Sequence, residues 1–339
     1  MDKTLNMALV GASGVVGKKI LQLLEKKGIK VDKLFPLGSS TVGQTFHFQN
    51  QEYVIESLDN FNPTDANLTI FSAGGSVARQ YARKFVEAGN YVIDLSSEFR
   101  YEDDVPLIIP EINGNIITKL DEPSLIANPN CSTSQLLMVL KPIHEQFGIE
   151  FLNIATYQAV SGTGKEAVEE LRSQIYESET ADSKVYPKPI AFNVIPQCDI
   201  FLDNAFTKEE MKLVWETKKI LDPNIEVQAT CARVPVFNGH SEAVFVKLSS
   251  LASREDLINC VEGNEGVCVM DDPNLLEYPT PLEQANDSED VYVGRIRSQQ
   301  IQGDTWASLW VVADNVYGKG AALNAVQILQ KLISNNKLC

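Results

Sequence analysis

An apolar run at residues 7–10 opens directly into Gly11-Ala-Ser-Gly14-Val-Val-Gly17, and a helical pattern over residues 15–26 follows at once. This junction constrains the chain more than any other feature. A strand that ends in closely spaced glycines and passes into a helix is the first half of a βαβ unit. The glycines permit a tight turn and a close approach of backbone to a pyrophosphate, whose charge the helix N-terminus favours. The spacing is G-x-x-G-x-x-G rather than the commoner G-x-G-x-x-G, so a merely structural turn remains the alternative reading of the loop alone. The helix presents Ile20, Leu21, Leu23 and Leu24 on its apolar face and stops at Gly28. Strand patterns follow at 33–37, 68–72 and 91–95, with a second helix at about 77–88 after the glycine turn of Gly74 and Gly75. The alternation predicts a doubly wound parallel sheet with ligand loops at the strand C-termini.

From residue 149 the texture changes. Longer apolar strands at 151–157, 227–236, 243–248 and 306–313 sit between helices and long loops, and a clean helix covers 320–332. The expected fold class is α/β: an N-terminal Rossmann-like doubly wound domain plus an α+β domain with a mixed, largely antiparallel sheet. The boundaries expected are 1–129 for the first domain, completed by the C-terminal segment 315–339, and 130–314 for the second. Polar loops at 177–189 and 271–290 read as exposed connections, with lids or subunit contacts as the alternative.

Charge narrows the partners. Forty-five acidic residues against 29 basic ones give a net charge of −16, which argues against sequence-independent binding to nucleic acid or to an anionic membrane. A small anionic ligand would need local cations. No segment approaches the ~18 apolar residues of a membrane-spanning helix, and the N-terminus opens a strand with no room for a signal sequence. The six cysteines form no C-x-x-C pair and no metal-like cluster; they read as reduced thiols of a cytoplasmic protein.

One of them stands in a distinctive place. Residues 128–133, Asn-Pro-Asn-Cys-Ser-Thr, precede a helical run that ends near Gly148, so Cys131 falls at a helix N-terminus. There the macrodipole favours the thiolate, lowering a pKa of ~8.5 toward neutrality. A thiolate attacks an acyl carbon, and a nicotinamide can exchange hydride with the adduct; an inert buried cysteine is the alternative. Of the three histidines, His47 lies in a polar strand-like piece and His144 inside the Cys131 helix. His240 lies on a turn between two apolar strands, which suits an exposed acid/base. For the dinucleotide, Ser39 and Ser40 stand past the second strand, where a carboxylate about 20 positions beyond the glycines would select NAD. Hydroxyls in its place lean toward NADP, although the loop holds no arginine and NAD use stays open. The second loop, with Ser72, Gly74 and Gly75, is a further candidate to touch the dinucleotide.

Eight segments, in order, resemble the aspartate-semialdehyde dehydrogenase family: 11–17, 128–133, 157–162 (Tyr-Gln-Ala-Val-Ser-Gly), 190–197, 233–242, 278–281, 291–297 and 320–327. The resemblance spans nearly the whole chain. It implies NADPH-dependent reduction of L-aspartyl-4-phosphate to L-aspartate-4-semialdehyde and phosphate, feeding lysine, threonine, methionine and diaminopimelate synthesis. It implies that Cys131 forms a thioester, that His240 is the general acid/base and that Gln158 orients the intermediate. It implies that Arg233 holds the substrate α-carboxylate, Glu209 the α-amino group, and Arg100, Asn130 and Lys212 the leaving phosphate. The cofactor is expected at Gly11, Ser13, Gly14, Val15, Val16 and Gly17, at Ser39, Ser40, Ser72, Gly74 and Gly75, and at Ser161, Gly162 and Asn315. The second domain is expected to build a homodimer, with pairing into a tetramer as the extension. No metal is implied.

Residue chemistry fits these roles. Arginine grips carboxylate or phosphate bidentately, and lysine acts as a point charge. Glu209 and Lys212, three apart in a helical run, share a face; the bland reading is a surface pair worth ~0.3–0.5 kcal/mol. Arg100, without the resemblance, reads as a solvated loop arginine. The chain departs from the family pattern at three places: the loop 39–43 lacks the arginine many relatives use on the 2′-phosphate, Leu95 and Glu98 precede Arg100 where asparagine and alanine are common, and 314–319 is reshaped. Two other readings stand beside this one. An N-acetyl-glutamyl-phosphate reductase would usually carry Tyr-Pro after its cysteine, where this chain has Ser132 and Thr133. A non-catalytic dinucleotide-binding relative would be expected to lose Cys131 or His240.

Overall fold

The computed structural model describes residues 4–176 and 183–338, and it divides into two compact units, Met1–Pro129 with Ala321–Cys339, and Asn130–Gly320. In the first unit the elements are β1 (Asn6–Val10), α1 (Val15–Lys26), β2 (Lys33–Gly38), β3 (Thr45–Phe48), β4 (Gln51–Val54), β5 (Glu56–Ser57), β6 (Leu68–Phe71), α2 (Gly75–Glu87), β7 (Tyr91–Asp94), α3 (Pro110–Asn113) and β8 (Leu125–Ala127). The sheet order is β5-β2-β1-β6-β7-β8, and every pairing in it is parallel. A parallel sheet needs both faces covered, and β6 and β7 are buried at every position.

The second unit contributes α4 (Cys131–Phe147), β9 (Ile149–Gln158), α5 (Lys165–Tyr176), α6 (Lys208–Ile220), β10 (Glu226–Arg233), β11 (His240–Leu248), α7 (Arg254–Val261), β12 (Val267–Val269), α8 (Pro281–Gln284), β13 (Val291–Ile301) and β14 (Asp304–Ala313). Helix α9 (Ala322–Ser334) then returns to the first unit, where it lies against α1 and α3. The second sheet runs β10-β9-β11-β14-β13-β12, with parallel pairs at its two ends and antiparallel pairs between them. The mixed sheet expected from the sequence is the one found.

The chain re-enters the first unit at Ala321, not at the expected 315. The physical reason is Asn315. Its Oδ1 accepts the Gly239 N–H at 2.9 Å and its amide bonds the Ser161 hydroxyl at 3.1 Å, which ties the end of β14 to the second unit. The expected loop 177–189 falls partly outside the described residues, at 177–182. Its remainder is largely exposed, as expected, but anchored: the Lys184 and Val185 N–H groups both donate to Glu170 at 2.6 Å, and Tyr186 joins a small core with Val160, Leu171 and Ile190. In the loop 271–290, Asp271 receives the Arg254 guanidinium and the Arg295 and Ile296 N–H groups.

Candidate active site

Register alone brings three candidate side chains together. β9 ends at Gln158 and the parallel β10 ends at Arg233, its direct partner. β11 returns antiparallel and begins at His240, one step beyond the Ser241–Tyr157 pair. Because side chains alternate along a strand, Gln158, Arg233 and His240 share the face that buries Ile154, Cys231 and Val244. Helix α4 lies against β9 and β11.

Cys131 is the first residue of α4. Asn130 is the N-cap, its Oδ1 accepting from the Ser132 N–H at 2.9 Å and the Thr133 N–H at 3.3 Å. Cys131 is half-buried, whereas Ser132, Thr133, Ser134 and Gln135 behind it are buried. Its thiol thus stands at the positive end of the helix dipole, which favours the thiolate. One turn on, Gln135 reaches the His240 carbonyl at 3.4 Å.

Glu209, buried on α6, is the hub. Its Oε1 accepts from the Asn130 amide and the Gln158 amide, each at 2.9 Å, and its Oε2 takes the Lys212 Nζ at 2.7 Å. Lys212 also donates to Asp199 at 2.7 Å, and Gln158 reaches the Ser132 hydroxyl at 3.2 Å. Burial pushes the Glu209 carboxyl up, but Lys212 and the two amides outweigh it and bring it down to about 2. Burial likewise opposes the charge on Lys212, and Glu209 and Asp199 hold its pKa above the ordinary value.

The Arg233 guanidinium is buried. Its Nη1 donates to the Ala159 carbonyl at 2.7 Å, its Nε has no partner, and among the described residues no carboxylate pairs with it. His240 is fully buried, with the Ala159 N–H donating to its Nδ1 at 3.1 Å and its Nε2 unpartnered. Burial, and then the charge of Arg233, push the imidazole down to about 3. Gly162 makes the meeting of these two possible: a Cβ there would stand 3.1 Å from the Arg233 Nη1 and 3.2 Å from the His240 Nε2.

Several expectations change here. His240 is not on an exposed turn; it opens β11, where the alternation that buries Val244 buries it too. Glu209 and Lys212 are not a surface pair, since the face of α6 that carries them is packed and Asp199 closes over the lysine. Arg100 is not solvated: it lies buried just past β7 with its Nη2 on the Leu95 carbonyl at 3.0 Å. It belongs to the first unit. The Asn130 side chain is committed at both ends, to the helix cap and to Glu209. Ser161 and Asn315 brace each other, and Asn315 holds the turn before His240.

Asp199 and Glu216 carry no motif, and the resemblance assigns no role to Glu242, the last residue of the 233–242 segment. Asp199 and Glu216 enter through tertiary packing, the latter accepting the Asn130 N–H at 2.7 Å. Glu242, two residues past His240 on the same face, is fully buried. No hydrogen bond of ordinary geometry closes on either carboxyl oxygen, although the Gln135 amide stands against it, and burial raises its pKa well above the usual range. Strand alternation could have placed Glu242 on the buried face.

In the first unit the glycine loop sits where β1 has β2 on one side and β6 on the other, the switch point at which such sheets bind ligands. Gly11 has φ +88°, and a Cβ on it would meet the Ser72 carbonyl at 2.9 Å. A Cβ on Gly17 would lie 2.3 Å from the Gly11 carbonyl, so only glycine allows α1 this close to the loop. Gly14 caps α1 with no side chain over the helix end, Val15 is exposed beside it and Val16 half-buried. Ser13, Gly14, Ser39, Ser40 and Ser72 line a cavity of about 530 Å³. The Ser13 hydroxyl donates to Thr41 at 2.9 Å, and the Ser72 hydroxyl braces the Val10 carbonyl at 2.9 Å. Gly74, at φ +88°, caps α2, and Gly75 opens it. This bare helix end beside a switch-point cavity fits a dinucleotide pyrophosphate.

Family models agree with these two units. One described as the semialdehyde dehydrogenase NAD binding domain matches residues 6–120, and one described as the semialdehyde dehydrogenase dimerisation domain matches 140–317. The aspartate-semialdehyde dehydrogenase of Shewanella violacea is 47% identical over 98% of this chain and 99% of its own length. That of Legionella pneumophila is 46% identical over 98% and 96%. The crystal structure of aspartate semialdehyde dehydrogenase II of Vibrio cholerae, complexed with ASA, superposes with a TM-score of 0.93 at 42% identity, covering 98% of this chain and 99% of that one. The Candida albicans enzyme with NADP matches at a TM-score of 0.76 and 25% identity, over 98% and 99%. With this cysteine at a capped helix start and identity of this extent along the chain, the protein belongs to the aspartate-semialdehyde dehydrogenase family.

Proposed function

We propose that the chain reduces L-aspartyl-4-phosphate to L-aspartate-4-semialdehyde and phosphate, with Cys131 as the covalent nucleophile. The observation that carries the reading is the buried Arg233 beside His240, a cation without a carboxylate partner among the described residues. Burying an unpaired charge is costly, and an anionic substrate group would relieve the cost. The Cys131 thiolate attacks the acyl carbon, the carbon–oxygen bond to phosphate breaks, and a thioester remains. A nicotinamide dinucleotide held at the glycine loop would supply hydride for reduction of the thioester, and cleavage of the carbon–sulfur bond would return the thiolate to Cys131 and release the aldehyde. His240 presents Nε2 toward the reacting oxygen. A substrate carboxylate on Arg233 would offset the field that depresses the imidazole, so binding itself would raise the histidine toward a useful acidity.

Glu209 would receive the α-amino group, with Gln158 fixed by Glu209 and Ser132 so that its unpartnered Oε1 faces the intermediate. Lys212 and Arg100 would meet the phosphate, while Asn130 acts through its backbone position, its side chain being used as the cap. The glycine loop and the cavity at Ser39 would hold the dinucleotide, with NADP as the donor and NAD accepted. The unit matched by the dimerisation model exposes Tyr157 and Phe245 on the outer face of its sheet, which supports a homodimer. No helix among the described residues is long and apolar enough to cross a membrane. The free cysteines fit a reducing cytoplasm.

The test is phosphate-dependent reduction of NADP and of NAD with aspartate semialdehyde, run beside N-acetylglutamate semialdehyde. Turnover confined to the aspartate compound supports the proposal; preference for the acetylated one would overturn it.

A further inference from the structure

The walls of the first-unit cavity are unequal in charge. Around it stand the glycine loop, Ser39, Ser40 and Thr41 past β2, and Asp59 with Tyr81. No lysine, arginine or histidine is among the described lining residues, and Asp59 supplies the one carboxylate. The carboxylate is held in place: the Tyr81 hydroxyl donates to it, and the Gln80 amide donates to that hydroxyl at 2.9 Å. The end of β2 is where this fold meets the adenosine ribose, so the Ser39 and Ser40 hydroxyls mark the ribose end of the cavity.

Size decides whether Asp59 matters. A space of 530 Å³ is roughly 10 Å across, close to the ~8 Å screening length of physiological salt. A 2′-phosphate bound in it would lie within about one screening length of Asp59, close enough for the repulsion to be felt, and would find no cation among the described lining residues to offset it. A free 2′-hydroxyl would feel no such repulsion and could bond serine or threonine hydroxyls.

We infer that Asp59 sets cofactor choice in this chain: its tethered carboxylate weakens binding of a 2′-phosphorylated dinucleotide and so admits NAD alongside NADP. The inference rests on the proposed dinucleotide site and deepens it. Asp59→Asn removes the charge and keeps an oxygen for the Tyr81 hydroxyl. Tyr81→Phe removes the tether and keeps the charge.

The experiment is calorimetric titration of the full chain with NADP⁺ and with NAD⁺, for the native protein and both variants. One charge against the nearly double charge of a phosphate monoester corresponds to roughly tenfold in affinity. Asp59→Asn should therefore lower the Kd for NADP⁺ by about tenfold and leave that for NAD⁺ within about twofold. Tyr81→Phe should produce no such gain for NADP⁺. Equal changes for both dinucleotides in Asp59→Asn, or none, would overturn the inference while leaving the dinucleotide site intact. Failure of the native protein to bind either dinucleotide would overturn the site and the inference together.

Discussion

Replacing Arg233 by methionine should lower activity and raise stability at once. The guanidinium is buried, bonded to the Ala159 carbonyl at 2.7 Å, and without a carboxylate partner among the described residues. In the substrate complex it would pair bidentately with a carboxylate, and losing one partner of such a buried pair costs about 2–5 kcal/mol. A central value of ~3 kcal/mol corresponds to a ~150-fold fall in kcat/KM for aspartate semialdehyde. In the free protein the sign reverses. Methionine fills similar volume and removes an uncompensated buried charge, at the cost of one hydrogen bond of ~1 kcal/mol. The net should be a gain of about 1 kcal/mol or more. A third readout links the two residues. The histidine stands at about 3, mainly through burial and next through Arg233, so the variant should move its titration upward toward 6.5. Steady-state kinetics over a pH series and thermal unfolding without ligand measure all three. An unchanged KM, or stability and activity falling together, would refute the carboxylate assignment.

Other expectations follow from single side chains. His240→Asn should cut turnover by ~10²–10⁴-fold, the range of general acid–base help, with dinucleotide affinity retained; full turnover would remove the histidine from the chemistry. Glu209 has its pKa depressed from 4.5 to about 2, so its contribution is complete above 4.5 and is lost as pH falls toward 2. Glu209→Gln should destabilise by on the order of 3 kcal/mol at neutral pH, and a stability gap that fails to narrow in acid would contradict the pairing. Glu242 has the opposite sign. Its raised pKa gives stability present below the unfolded value and lost as pH rises through the folded one. Glu242→Gln should therefore gain on the native protein as pH rises above the usual carboxylate range, as read by thermal midpoints; parallel curves would show the carboxyl is not buried protonated.

The alternation of strand and helix in the first 130 residues and the glycines at 11, 14 and 17 were readable because periodicity and turn chemistry are local. Cys131 was readable for the same reason, since asparagine just before a helical run is a cap signal. The environments of the other site residues were not. His240 looked exposed because glycine and asparagine precede it, yet sheet pairing with β9 and β14 draws it into the interior. Arg100 and Lys212 carry charges that usually lie at the surface; their burial depends on the folded path of the chain, which turns Arg100 back onto the Leu95 carbonyl and brings Asp199 to Lys212. The Ser39 loop could be seen to lack arginine, but Asp59 beside it could not be placed, because the pairing of β5 with β2 and the Tyr81 hydroxyl bring it there.

The central claim is a covalent bond to Cys131. Aspartate semialdehyde and NADP⁺ mixed with the protein in the absence of phosphate should leave an aspartyl thioester on Cys131, seen by intact mass and by peptide mapping of the α4 segment. Added phosphate should discharge it, and Cys131→Ala should show neither the adduct nor turnover. Turnover by that variant, or an adduct on another cysteine, would contradict the account.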